Sequence, residues 1–188
     1  MRSLLFRLLP LLFVFSQLCH AISSNTDAIA NYEFQTAYGN EIKLSDLRGS
    51  VVVLHFMASW CGECLIEAPS INRLRQITKD DGIEIVGISL DEYLPAVEAL
   101  VSRANIKYPV IFDHGGKLKK FFSIRGVPVT IVLDKSGQVA QFTDPETGRR
   151  TEKVQGSRDW GSEAAVRSLR EVGEKGEGAR GLVNQLNS

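Results

Sequence analysis

Val51-Val52-Val53-Leu54-His55-Phe56-Met57, running on through Ala58-Ser59-Trp60 into Cys61-Gly62-Glu63-Cys64, carries the most information of any stretch in this chain. Seven residues with one polar member read as a strand buried on both faces. Ala58-Ser59-Trp60 ends the run. From about Cys61 onward, Leu65, Ala68, Ile71, Leu74 and Ile77 recur at helical spacing, which predicts a helix with Pro69 inside it as an expected kink. The two cysteines therefore stand where a buried strand gives way to a helix. A helix N-terminus offers unpaired N–H groups and the positive end of the dipole, and both favour a thiolate over a thiol. Cys61, at the turn, is expected to be exposed and nucleophilic. Cys64, one turn further on, lies close enough to form a disulfide with it or to attack a mixed disulfide.

Outward from this stretch, the chain alternates strands and helices. Tyr32/Phe34 and Ile42/Leu44 alternate about Gly39-Asn40, a hairpin signal. Ile83 to Leu90 reads as a second buried strand. Val97, Leu100, Val101 and Ala104 give an amphipathic helix. Val110 to Phe112 is a short strand, and Leu118, Phe121 and Phe122 mark a short helix. Thr130 to Leu133, a turn at Asp134-Lys135-Ser136-Gly137, and Gln138 to Phe142 predict a second hairpin. A last helix spans about Glu163 to Val172 with Ser162 as its N-cap. The order implies an α/β fold: a central mixed β-sheet with helices on both faces and an N-terminal β-hairpin.

The 22 basic and 22 acidic residues cancel, so no overall field points to nucleic acid. Arg2 and Arg7, an apolar run from Leu8 to Leu18 and the small Ala21 have the order of an export signal. Cleavage after Ala21 is the expected outcome; retention as a membrane anchor and lipidation at Cys19 are the alternatives. All three place the remaining chain outside the cytoplasm. After such a cut only Cys61 and Cys64 remain of three cysteines, too few for a disulfide-stapled scaffold. The pair is then a redox centre or half of a metal site. Zinc would need two further Cys or His ligands. The candidates are His55, in the predicted buried strand, and His114, about fifty residues away; no metal is expected.

Together Gly49–Phe56, Trp60–Pro69, Arg125-Gly126-Val127-Pro128 and Gly156-Ser157-Arg158-Asp159-Trp160 resemble the thioredoxin superfamily, and within it the exported TlpA/ResA/CcmG-like thiol–disulfide oxidoreductases. The resemblance implies a thioredoxin fold over residues 32–172, after a signal peptide or anchor at 1–21 and a linker at 22–31. A flexible tail is expected at 173–188. It further implies a cis Pro128 opposite the cysteines, with Val127 offering backbone groups to an extended client segment and Trp60 forming the apolar lip. Glu67 matches the acid of the branch's C-x-x-E-x-P pattern. Three residues beyond Cys64, it is either a proton acceptor for the pair or a solvated helix charge.

Two positions depart from that pattern. His55 stands five residues before Trp60, where many thioredoxins bury an acid. It is either a strand histidine satisfied by a neighbour or a proton relay to Cys64. Glu63, with Gly62 between the cysteines, puts an acid beside the helix N-terminus. It should disfavour the Cys61 thiolate and with it a strongly oxidising disulfide. Trp160 is expected to pack the last helix. A protein-disulfide reductase is therefore expected, without cofactor beyond its own disulfide and monomeric. It would act in the periplasm or cell envelope on client protein thiols and disulfides, of the kind met in cytochrome c biogenesis or copper-centre maturation. Its electrons would come from a membrane thiol donor. A disulfide oxidase or isomerase, and a metal or haem carrier, are the competing readings. Peroxidase chemistry of the peroxiredoxin type is disfavoured, since Ala58 stands three residues before Cys61 where that chemistry uses Thr.

Overall fold

The computed structural model of the chain describes residues 27–186; the leader, Cys19 and the cleavage point lie outside them. Its centre is the strand expected from the sequence, β3 (Val51–Met57), in which every residue is buried. β3 runs parallel to β4 (Ile83–Ser89), and β4 runs parallel to β5 (Val110–Phe112). On its other side β3 pairs antiparallel with β6 (Val129–Leu133), and β6 with β9 (Lys153–Gln155). The sheet order is thus β5-β4-β3-β6-β9. A small antiparallel pair, β1 (Phe34–Gln35) and β2 (Glu41–Ile42), forms the N-terminal hairpin.

Side-chain alternation along the strands divides the core into two slabs. Val51, Val53 and Met57 point to the face covered by α1 (Gly62–Ile77), α2 (Leu94–Arg103) and α4 (Glu163–Leu186). Val52, Leu54 and Phe56 point to the opposite face, which is closed by Phe34, Leu44, Ile124 and Leu118 of α3 (Lys117–Phe121). Both parallel connections, β3-α1-β4 and β4-α2-β5, place their helix on the first face, as right-handed crossovers require. α1 continues through Pro69 to Ile77. Of its predicted core positions Ala68, Ile71 and Leu74 are buried, Leu65 is half-buried and Ile77 is exposed.

Three expectations are corrected. The second hairpin is only begun. Asp134 Oδ1 accepts hydrogen bonds from the backbone N–H groups of Ser136 and Gln138, so the turn forms. Beyond it Leu133 and Val139 make an isolated bridge, and the place beside β6 passes to β9. Val139 stays 41% exposed, whereas Val154 of β9 enters the core at 2%. The chain between forms another small pair, β7 (Phe142–Thr143) with β8 (Arg150–Thr151). Second, α4 continues to Leu186 where a loose tail was expected; once its first turns are formed, each added residue needs no new nucleus. Third, residues 27–30, assigned to the linker, are helical, and Ile29 packs on the second slab.

Gly87 lies next to His55 in the β3–β4 register. A Cβ at that position would come within 2.7 Å of Met57 Cε, 3.0 Å of Val110 Cγ2 and 3.1 Å of Tyr108 Cε2. Gly87→Ala should therefore destabilise the fold by about 1–3 kcal/mol through overpacking. Urea titration followed by circular dichroism checks this, as a lower midpoint at unchanged slope.

Candidate functional site

The end of β3 delivers Ala58–Trp60 to the start of α1, and Asp91 fixes that turn. The buried Asp91 carboxylate accepts the Ser59 backbone N–H at 2.9 Å and the Ser59 hydroxyl at 2.7 Å. It also accepts the Ser89 hydroxyl at 2.7 Å. Cys61 is the N-cap of α1, with extended backbone, and its Sγ accepts the Cys64 N–H at 3.1 Å. The pair is joined by a disulfide with Cα atoms 5.3 Å apart. Cys61 is 7% exposed and Cys64 2%, while Trp60 beside them is 68% exposed. The expected exposure of Cys61 is thus corrected for the oxidised state: the disulfide and the helix N-terminus enclose the sulfur. Its greater exposure than Cys64 keeps the expected order. Gly62 and Glu63 between them are exposed.

Opposite this turn the Val127–Pro128 bond is cis. Phe56 pairs with Val129 in the antiparallel β3–β6 register, so β6 starts at the sheet edge where β3 ends. That register brings Val127 and Pro128 to the same edge as the cysteine turn. Val127 packs at the margin of the slab that contains both cysteines.

Glu67 is buried, so the reading as a solvated charge is set aside. Its Oε1 accepts the Arg158 backbone N–H at 2.9 Å and the Trp160 Nε1–H at 2.6 Å. Its Oε2 has no hydrogen-bond partner and lies 3.6 Å from His55 Nε2, itself unpartnered. His55 Nδ1 is 3.3 Å from Thr130 Oγ1 on β6. Burial raises the Glu67 carboxyl to about 7 from an ordinary 4.5, with Glu63 adding to the rise; the hydrogen bonds from Arg158 and Trp160 and the Arg158 charge pull the other way. Burial lowers the His55 imidazole to about 3, so the ring is neutral.

Trp160, expected only to pack the last helix, is buried beside Phe142 and donates to Glu67. The loop that carries it is anchored by Arg158, whose guanidinium meets Asp144 at 2.9 Å and 3.1 Å in a bidentate pair. Sequence reasoning missed Asp91, Asp144 and Tyr108. Tyr108 is 2% exposed with its hydroxyl unpartnered; burial and then the Glu67 charge push that phenol above its ordinary range. The one signal that could have found Asp91 is its place directly after a buried strand, where open α/β sheets gather functional side chains. His114 is exposed and packs on Phe112. Among the described residues no group of three or more His, Cys, Asp or Glu side chains is placed to hold a metal ion.

A mixed five-stranded sheet with a C-x-x-C disulfide at the N-terminus of its first helix and a cis-proline at the same edge defines a thioredoxin-fold protein. The chain belongs to the AhpC/TSA family, whose family model matches residues 26–142. It is similar to the thiol-disulfide oxidoreductase ResA of Bacillus thuringiensis subsp. konkukian, 34% identical over 111 residues. That match covers 59% of this chain and 64% of the length of ResA. Among solved structures it is similar to a protein assigned as the thiol:disulfide interchange protein DsbE of Chlorobium tepidum. There the TM-score is 0.63 at 26% identity, over 77% of this chain and 94% of that one. StoA of Bacillus subtilis shares the fold, with a TM-score of 0.57 at 21% identity over 75% and 94%. The chain is thus TlpA/ResA/CcmG-like.

The two buried groups pull stability in opposite directions with pH. The raised Glu67 carboxyl contributes stability that is complete below pH 4.5 and lost as pH rises through about 7. The lowered His55 imidazole contributes stability that is present above pH 6.5 and lost as pH falls toward about 3. Glu67→Gln keeps an oxygen for Arg158 and Trp160 but cannot ionise. Between pH 5 and 8.5 the wild type should lose on the order of 2 kcal/mol that the variant retains. Denaturant midpoints of both proteins across that range are the check.

Proposed function

We propose that the protein is a thiol–disulfide oxidoreductase that reduces disulfides of client proteins outside the cytoplasm. The observation that carries this reading is the Cys61–Cys64 disulfide capping α1 with a buried, near-neutral carboxyl one helical turn beyond it. In the reduced enzyme the Cys61 thiolate attacks a client disulfide. A Cys61–client bond forms, the client S–S bond breaks, and the leaving client sulfur takes up a proton. The Cys64 thiol then gives its proton to the Glu67 carboxylate and attacks Cys61 Sγ, releasing the second client sulfur as the Cys61–Cys64 disulfide closes. The client gains two electrons and the enzyme loses two; a membrane thiol donor restores the dithiol. Trp60, exposed beside the pair, is the apolar lip, and Val127 with Pro128 supplies the backbone edge for an extended client strand.

Glu67 suits proton exchange because a group half-protonated near neutrality both accepts and returns a proton. The residue also borders a groove of about 630 Å³ shared with Ile66, Pro69, Arg73 and Asp159, while its side chain itself is closed off from solvent. Export follows from the leader, with cytochrome c or copper-centre maturation as the client setting. Among the described residues no helix is long and apolar enough to cross a membrane.

Cys61 is expected to be the attacking thiol and Cys64 the resolving one. Alkylation of the reduced protein near neutral pH, followed by peptide mapping, should label Cys61 first, and Cys64→Ser should accumulate mixed disulfides on Cys61. Preferential labelling of Cys64 would reverse the assignment.

Direction rests on Glu63, exposed in the first turn of α1. A helix dipole is worth about 0.3–1 kcal/mol to a thiolate at an exposed site and up to about 2 kcal/mol at a partly buried one, and a neighbouring carboxylate works against it. The wild type should therefore titrate against glutathione near thioredoxin's potential of about −270 mV and far from the oxidase value of about −120 mV. Glu63→His should shift it toward the oxidising end. A wild type that is already strongly oxidising would support the oxidase instead.

A further inference from the structure

The inside of the sheet–helix interface holds a pair of groups that face each other without a hydrogen bond. Glu67 Oε2 and His55 Nε2 are 3.6 Å apart, both side chains are inaccessible to solvent, and neither atom has another partner. Two adjacent orphans in a buried site are costly unless they serve each other. A shortening of about half an ångström would make them a normal hydrogen bond. The other ring nitrogen, Nδ1, faces Thr130 Oγ1 at 3.3 Å. A hydroxyl there can donate or accept, because its hydrogen rotates freely.

From this geometry we infer that His55 is an amphoteric partner for Glu67, switching tautomer as the carboxyl gains or loses its proton. With Glu67 protonated, Oε2–H donates to Nε2, and Nδ1–H donates to Thr130 Oγ1. With Glu67 ionised, Nε2–H donates to Oε2, and the Thr130 hydroxyl donates to Nδ1. The imidazole is neutral in both arrangements, and the second holds one proton fewer than the first. An aspartate at this position would set a second acid against Glu67, and the two could not both ionise at this distance. His55 is therefore a positioning residue. It touches no client, and it keeps Glu67 available in both forms, so the inference rests on the proton role proposed above for Glu67.

The groups that bear on the pair are few. From α1 come Glu63, whose charge raises Glu67, and the cysteines; from the loop after β9 comes Arg158, whose charge lowers it. Tyr108, ahead of β5, couples to Glu67. Thr130 on β6 is uncharged, and β4 brings Gly87 beside His55. No neighbouring charge features among the causes of the His55 shift, which is due to burial alone.

The oxidised full-length protein provides the test, with no thiol titrating. In a sample labelled with ¹⁵N-histidine, the His55 nitrogens should show the Nδ1–H tautomer at pH 5 and the Nε2–H tautomer at pH 9. The midpoint should coincide with that of the Glu67 ¹³Cδ resonance. A single tautomer throughout, or a cationic ring, would overturn the inference. His55→Leu should raise the Glu67 midpoint by about one pH unit, since the ionised form loses the stronger, charge-assisted bond. His55→Gln, whose amide both donates and accepts, should restore it to within about 0.3 unit. An unchanged midpoint in a folded His55→Leu protein would also overturn the inference; if that variant does not fold, the wild-type spectra decide. None of these readouts uses turnover. A tautomer switch in a protein that reduces no disulfide would sink the proposed function alone, and a fixed tautomer in an active enzyme would sink this inference alone.

Discussion

A carboxyl group inside a protein must find its hydrogen bonds from the protein, and Glu67 finds two of them on a loop about ninety residues away. The Arg158 backbone and the Trp160 indole both donate to one oxygen. To hold them there, the chain after β9 must pass over α1, and it is fixed by the Arg158–Asp144 pair on one side and by the burial of Trp160 on the other. The short β7–β8 pair that presents Asp144 belongs to the same arrangement. Moving any of these parts would leave a buried acid with one partner fewer, at the cost of an unsatisfied buried polar group.

The second oxygen is treated differently. It meets no fixed donor, only a neutral imidazole, so the charge of the carboxylate is stabilised incompletely. Complete pairing would have pulled the acid down into the ordinary carboxylate range, permanently ionised at neutral pH, and unable to hold a proton for any part of a cycle. Half-pairing keeps it poised. The Asp91 carboxylate, by contrast, is given three donors and serves only to hold the Ser59 turn. Two buried acids near one disulfide thus differ in role because they differ in how many hydrogen bonds each accepts.

Much of this arrangement could be read from the amino-acid order, and the boundary between what could and could not be read is physical. β3 and the start of α1 were legible because a fully buried strand must be apolar along its whole length and Cys61 caps the helix that follows. The cis bond before Pro128 followed from family resemblance. The burial of Glu67 was not legible, because an acid on a helix is ordinarily solvated and its donors are remote in sequence. His55 was singled out for its odd position, yet its neighbours Thr130 and Glu67 come from different elements and are brought together only by the fold. β7, β8 and β9 are too short and polar to carry a periodic signal. Of their residues only Phe142 and Val154 enter the core.

The two tryptophans of the chain occupy opposite environments. Trp60 stands in water next to the disulfide, where a neighbouring sulfur pair quenches an excited indole. Trp160 is sealed in the core with its ring N–H on the carboxyl whose charge changes. Emission from the first is red-shifted by water and responds to the sulfurs; emission from the second is blue-shifted and responds to the field of Glu67. The molecule thus carries two built-in optical probes, separable by colour, one for electrons and one for protons.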